Sequence, residues 1–89
     1  MSVNTNNEMV VPLYRTSDIY FCAYLVALDF PLHGSERTGT GSSARVVFVL
    51  RVADSDLNKA KALYFGGTGS VKARKFVDNL KSLKAMVYT

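Results

Sequence analysis

The stretch Thr16 to Phe30, TSDIYFCAYLVALDF, constrains the fold more than any other part of this chain, because as a helix it has almost no polar face. Set out at about 100° per residue, Ile19, Tyr20, Phe21, Ala23, Tyr24, Leu25, Val26, Ala27 and Leu28 run right round the axis. Only Asp18 and Asp29 share a narrow side. Thr16 or Ser17 is placed to supply the N-cap oxygen, and Asp18 to put a carboxylate in the first turn, where the helix dipole favours it. Pro31 ends the helix, since the residue before a proline is pushed out of the α region. The apolar run from Ile19 to Leu28 falls well short of the roughly 20 residues that cross a bilayer. It therefore reads as a core helix that must be covered on most sides, either by the rest of the chain or by a second copy of it.

A chain of 89 residues has room for one domain and little else. Its single cysteine, Cys22, lies inside the apolar helix, so it reads as a small buried hydrophobe rather than a reactive thiol. The net charge of +4, from 11 basic and 7 acidic residues, suits attraction to a nucleic acid or to an acidic protein surface. No basic stretch followed by an apolar run and a cleavage site opens the chain, which sets the expectation of a cytoplasmic protein with no membrane attachment.

The rest of the chain reads as an α+β domain from residue 14 to residue 89, preceded by a flexible arm over residues 1 to 13. Residues 1 to 8, MSVNTNNE, are polar and expected to fray. Met9 to Tyr14, MVVPLY, is apolar but broken by Pro12, which suits an edge strand or an extended arm on the core. Leu32 to Arg37 is a weak strand and Thr38 to Ser43, TGTGSS, a flexible connection. Arg45 to Val52 is the strongest strand: Val46, Phe48, Leu50 and Val52 line one face, and Val47 and Val49 the other, between Arg45 and Arg51. Because both faces are apolar at the middle, helix should cover one side and something less the other. A two-stranded hairpin is marginal alone, so it needs helices, the arm, or another subunit's sheet beside it.

Asp54 or Ser55 caps the next helix, in which Leu57, Ala60, Leu63 and Tyr64 recur at helical spacing until Gly66 and Gly67 end it. Ser70 is read as the cap of a final helix from Val71 to about Val87. On its wheel Ala73, Phe76, Val77, Leu80, Leu83 and Val87 face the core. Arg74, Lys75, Asp78, Lys81 and Ser82 face away, with Lys72 and Lys84 at the borders.

The order TSDIY at Thr16 to Tyr20, VVFVL at Val46 to Leu50, LYFGG at Leu63 to Gly67 and VKARKFVDNLKSLKAMVY at Val71 to Tyr88 resembles a family of small phage and bacterial proteins described only as a domain of unknown function. The resemblance covers about residues 14 to 88. It implies the arrangement helix, hairpin, helix, helix and a phage or mobile-element setting, and it transfers no catalytic or binding residue.

No residue set in the chain carries recognisable chemistry. His33 is the only histidine, with Asp29, Ser35 and Glu36 its nearest neighbours of use, and such a set is weak both as a metal site and as a catalytic one. It reads as a surface or strand histidine, and no enzyme activity, metal or cofactor is expected. Phe65 to Lys75, FGGTGSVKARK, combines glycines, a hydroxyl, a new helix start and cations, the ingredients of a phosphate-binding end, but the GxxxxGK[ST] pattern is missing. Tyr14, Tyr64 and Tyr88 are the aromatics read as available for stacking, most of the ten rings being assigned to the core. The leading expectation is a non-enzymatic accessory protein that binds nucleic-acid backbone through Ser70, Lys72, Arg74, Lys75, Lys81 and Lys84. The alternative is a self-associating interaction module, or one that inhibits a host factor, covering the surplus apolar surface of the first helix and of MVVPLY.

Overall fold

In the computed structural model, which describes residues 11–41 and 44–87, the elements run β1 (Leu13–Thr16), α1 (Ile19–Ala27), β2 (Leu32–Thr38), β3 (Arg45–Arg51), α2 (Asp54–Phe65) and α3 (Ala73–Val87). This is the α+β arrangement read from the sequence: a core helix, an antiparallel hairpin, then two helices. The fraying expected of residues 1 to 8, Met9 and Val10 of the apolar arm, Ser42 and Ser43 of the loop, and Tyr88 lie outside the described residues.

The hairpin gains a third strand. β3 is central, with β1 antiparallel on one side and β2 antiparallel on the other. Pro12 sits just outside β1, where the missing N–H costs nothing, and its carbonyl accepts from Val52 N–H. The boundary drawn at residue 13 thus falls within this pairing. In β2 a bulge between Leu32 and Gly34 leaves His33 without a partner on β3.

Alternation along β3 sends Val46, Phe48, Leu50 and Val52 to the helix side. Val47 and Val49 face the other way, where no helix is packed. Val49 is nevertheless only 1% exposed. Arg15, opposite Val49 on β1, and Glu36, opposite Val47 on β2, meet across β3 in a two-pronged ion pair, Nε to Oε1 at 3.1 Å and Nη2 to Oε2 at 3.3 Å. Their aliphatic stems cover the valines while the charged heads stay wet. The Arg15 guanidinium also holds the Glu36 carboxyl below its ordinary value.

On the helix side α1 is the centre of the core. Phe21, Cys22, Ala23, Tyr24, Leu25 and Ala27 are all buried, and each fully buried large side chain contributes about 1.5–3 kcal/mol. The chain itself therefore wraps this helix, between α2, α3 and the sheet; Tyr20 and Leu28 are the large apolar residues of the segment that stay exposed. Burial pushes the Cys22 thiol up to about 12, with repulsion from Asp18 adding to it.

Both ends of α1 differ from the sequence reading. Asp18, not Thr16 or Ser17, is the N-cap: its Oδ1 accepts from Tyr20 N–H and Phe21 N–H, each at 3.0 Å, while Thr16 Oγ1 accepts from Asp18 N–H. At the other end Asp29 adopts φ 72°, and the bonds Asp29 N–H to Val26 O and Phe30 N–H to Leu25 O close a Schellman turn. The helix has ended before Pro31 acts.

The two later helices flank α1. α2 starts after Ala53, which makes no side-chain cap, so Asp54 and Asp56 act as first-turn carboxylates on the dipole rather than as caps. Gly66 and Gly67 end α2 as expected, with Gly67 at φ 78° and Thr68 N–H on Leu63 O. α3 runs antiparallel to α1, since Lys75 meets Asp29 near one end and Lys84 shares a groove with Ile19 at the other. It begins at Ala73, its first turn closed by Phe76 N–H on Lys72 O, so Ser70 lies upstream and does not cap it. Leu83 is buried and Phe76, Leu80, Met86 and Val87 pack partly, but Ala73 and Val77 are exposed. The core stripe of α3 is thus rotated slightly away from Val77 and towards Met86, and on that side Asn79 Nδ2–H donates to Ala23 O at 3.5 Å.

Candidate nucleic-acid interface

The six residues proposed to hold phosphate do not form one site. Ser70 and Lys72 are exposed ahead of α3, near its first turn. Lys75 is committed to Asp29 at the far end of α1, with Nζ at 2.5 Å from Oδ1. Arg74 is highly exposed and loosely matched to Asp78 one turn on, at 3.9 Å; an exposed pair of this kind contributes about 0–1 kcal/mol. Lys81 and Lys84 are exposed on the last turns, with no ion pair among the described residues.

The glycines of FGGTGS have structural tasks that account for them. Gly67 supplies the left-handed turn that closes α2, and Gly69 lies on the Tyr24 phenol so closely that a Cβ there would overlap it. That segment is a tight return from α2 to α3, and its glycines are spent on packing rather than on exposing backbone to an anion.

Positive charge gathers instead at the other end of α3. A groove of about 400 Å³ lies there, lined by Ser17, Ile19, Arg45, Val46, Phe48, Lys84 and Val87. Lys84 borders it from α3 and Arg45 from the first residue of β3, and no acidic residue lines it among the described residues. Arg37, opposite Val46 on β2, donates from Nη2 to Val87 O at 3.2 Å. Some of this charge answers the helix dipole, whose carbonyl end is equivalent to roughly half a negative charge. Arg37 takes up one of those carbonyls, and Lys84 and, one turn earlier, Lys81 are the exposed cations of this half of α3.

Two residues beyond Ile19 on α1, Phe21 gathers a cluster of rings. Phe21 is its buried centre, with Tyr64 at 5.1 Å, Phe65 at 5.3 Å and Tyr14 at 6.2 Å between centroids. Lys61 Nζ stands 5.2 Å over the Tyr14 ring. Burial pushes the Tyr64 phenol above its ordinary value, and the neighbouring Asp18 and Tyr20 add to the rise. Phe65 is 66% exposed and Tyr20 49% exposed. Neither ring is among the aromatics that the sequence reading offers for stacking. A signal was available for Phe65: Leu57, Ala60 and Tyr64 form the inward stripe of α2, and Phe65 follows Tyr64 by about 100°, off that stripe. Leu63 is displaced to the other side and is likewise exposed.

The carboxylates nearest His33 in sequence are engaged elsewhere, Asp29 with Lys75 and Glu36 with Arg15. No group of three or more potential metal ligands occurs among the described residues, and no helix among them is long and apolar enough to cross a membrane. No family model matches the chain, and no curated protein or solved structure matches it. The likeness to the phage and bacterial family rests on the quoted strings alone.

Proposed function

We propose that this chain is a small, non-enzymatic accessory protein, cytoplasmic and of a phage or mobile element, that binds nucleic-acid backbone at the carboxyl end of α3. The observation that carries the reading is the meeting of Arg45 and Lys84, from β3 and α3, in a groove with no acidic lining residue among the described residues. Lys81 extends the surface along the helix. Cations from separate elements, held by a shared core, present a fixed pattern of charge to a phosphate chain, and neutralising each phosphate releases counterions. Lys72 and Arg74 are secondary contacts towards the start of α3, and Lys75 is held back by Asp29.

The test is fluorescence anisotropy with labelled DNA and RNA at low and physiological salt, on the native chain and on Arg45→Glu/Lys81→Glu/Lys84→Glu. Native binding should weaken with salt at a slope of about 0.9 per duplex phosphate engaged, and the triple variant should lose at least about 100-fold at low salt. A folded triple variant that binds as tightly as the native chain overturns the reading.

A second reading is self-association. It draws on Leu28 and Leu63, both exposed beside Phe30 and Ala60 in a second groove of about 250 Å³. A molar mass that rises with concentration, and falls back in Leu63→Glu, supports it.

A further inference from the structure

We infer that the basic end of α3 takes single-stranded rather than duplex nucleic acid, with unstacked bases resting on the exposed rings of Tyr20 and Phe65. The inference rests on the backbone-binding reading above and names the class of strand that the same surface accepts.

Phe65 is the most exposed large hydrophobic residue among the described residues, and its ring is held in place rather than loose. One side leans on Phe21 at 5.3 Å and 34°, and Tyr64 meets it edge to face at 4.9 Å and 88°. A pinned ring loses little further freedom when a base settles on it, so the contact is pre-organised. Tyr20 is the residue before Phe21 in the first turn of α1, and Phe21 is the ring on which Phe65 leans.

The first turn of α1 links the rings to the cations. Ile19 lines the groove that Arg45 and Lys84 border, and Tyr20 is the next residue in the first turn of α1. One step of about 100° around that helix leads from the cationic groove to the aromatic surface. On the aromatic side Lys61 supplies another cation over Tyr14. A strand crossing the first turn of α1 would therefore meet cations, then the Asp18 carboxylate, whose Oδ1 is taken up by the Tyr20 and Phe21 amides, then rings and a further cation.

That sequence of contacts suits one kind of polyanion. A single strand offers phosphates and open base faces together, and aromatic stacking is tolerant of base identity because every base has a π-face. In a duplex the base faces are already stacked on one another, which would leave Tyr20 and Phe65 in water. An acidic peptide has the charge but no row of flat faces.

The test compares a labelled oligothymidylate with a duplex of the same length, using the full chain and three variants. Tyr20→Leu/Phe65→Leu removes both rings and keeps apolar bulk, Phe65→Tyr keeps a ring, and Lys81→Glu/Lys84→Glu removes charge. The native chain should bind the single strand at least about tenfold more tightly than the duplex. Loss of both rings should weaken single-strand binding by about tenfold or more per ring, with the salt slope and circular dichroism unchanged. Phe65→Tyr should bind like the native chain, and the charge variant should flatten the salt slope. Equal affinity for the two probes, or ring variants that bind oligothymidylate as tightly as the native chain, would overturn the inference while the backbone reading stands. A molar mass that drops in the ring variants without loss of oligothymidylate binding assigns the rings to self-association and overturns it too. If the native chain binds neither probe at low salt, the backbone reading itself fails and the inference falls with it.

Discussion

The two halves of α3 carry two cations each and use them differently in the fold. In the first half Lys75 reaches Asp29 and Arg74 leans towards Asp78. In the second half Lys81 and Lys84 have no ion pair among the described residues, and the fold sets Arg45 across a groove from Lys84. A helical wheel counts charges; only the tertiary structure says which of them are already answered. The lesson for a basic helix of this length is that its binding half is chosen by its neighbours.

The largest effect that tests this contrast is on stability. Leu83→Ala, in the buried stripe of the second half, should cost about 2–5 kcal/mol, whereas Val77→Ala, 44% exposed in the first half, should cost less than about 0.5 kcal/mol. Urea unfolding of the two variants side by side measures the difference, and equal losses would mean that the stripe is misplaced. Next comes binding. Lys81→Glu/Lys84→Glu should lower affinity for labelled single-stranded DNA by at least about tenfold, and Arg74→Glu/Lys75→Glu by less than about fivefold. Equal losses would erase the distinction between the halves.

A third measurement sets the buried α1 against the exposed α3. With the Cys22 thiol at about 12 in the folded chain and an ordinary value of 9.0, its contribution to stability is full below about pH 9. It is lost as pH rises from there towards 12, because the unfolded chain releases the proton first. The native chain should therefore lose melting temperature more steeply than Cys22→Ala over that range; parallel slopes would place the thiol in a wetter setting. The smallest effect belongs to the exposed pair: Asp29→Asn, which keeps a residue tolerant of the left-handed turn, should change stability by less than about 1 kcal/mol. A larger loss would make the Lys75 contact more than a surface pair.

What could be read in advance follows from how local each determinant is. The all-round apolarity of α1, the alternation of β3 and the glycine stop after α2 are written within a few consecutive residues, and the fold follows them. The caps were harder, because Thr16, Ser17 and Asp18 are all competent N-caps and only the entry angle from β1 selects Asp18. The end of α1 was misread for a similar reason: proline is a visible stop, whereas an aspartate at φ 72° is not. The charge site was the least legible. The partner of Lys75 lies 46 residues away, and Arg37 and Arg45 join Lys84 only once the sheet and α3 share a core. Phe65 escaped because it adjoins the inward stripe of α2 in sequence while pointing off it.

The placement of β1 also bears on the order in which the chain assembles. β2 and β3 are joined by a short connection, so their pairing closes a small loop and can form early. β1 reaches the far edge of β3 only after α1 and β2 have been laid down between them, which makes it the costlier closure in chain entropy and the later event. Run in reverse, the same asymmetry makes β1 the first piece to peel away: the Val52 amide, bonded to Pro12, should exchange with deuterium well before the amides that join β2 to β3.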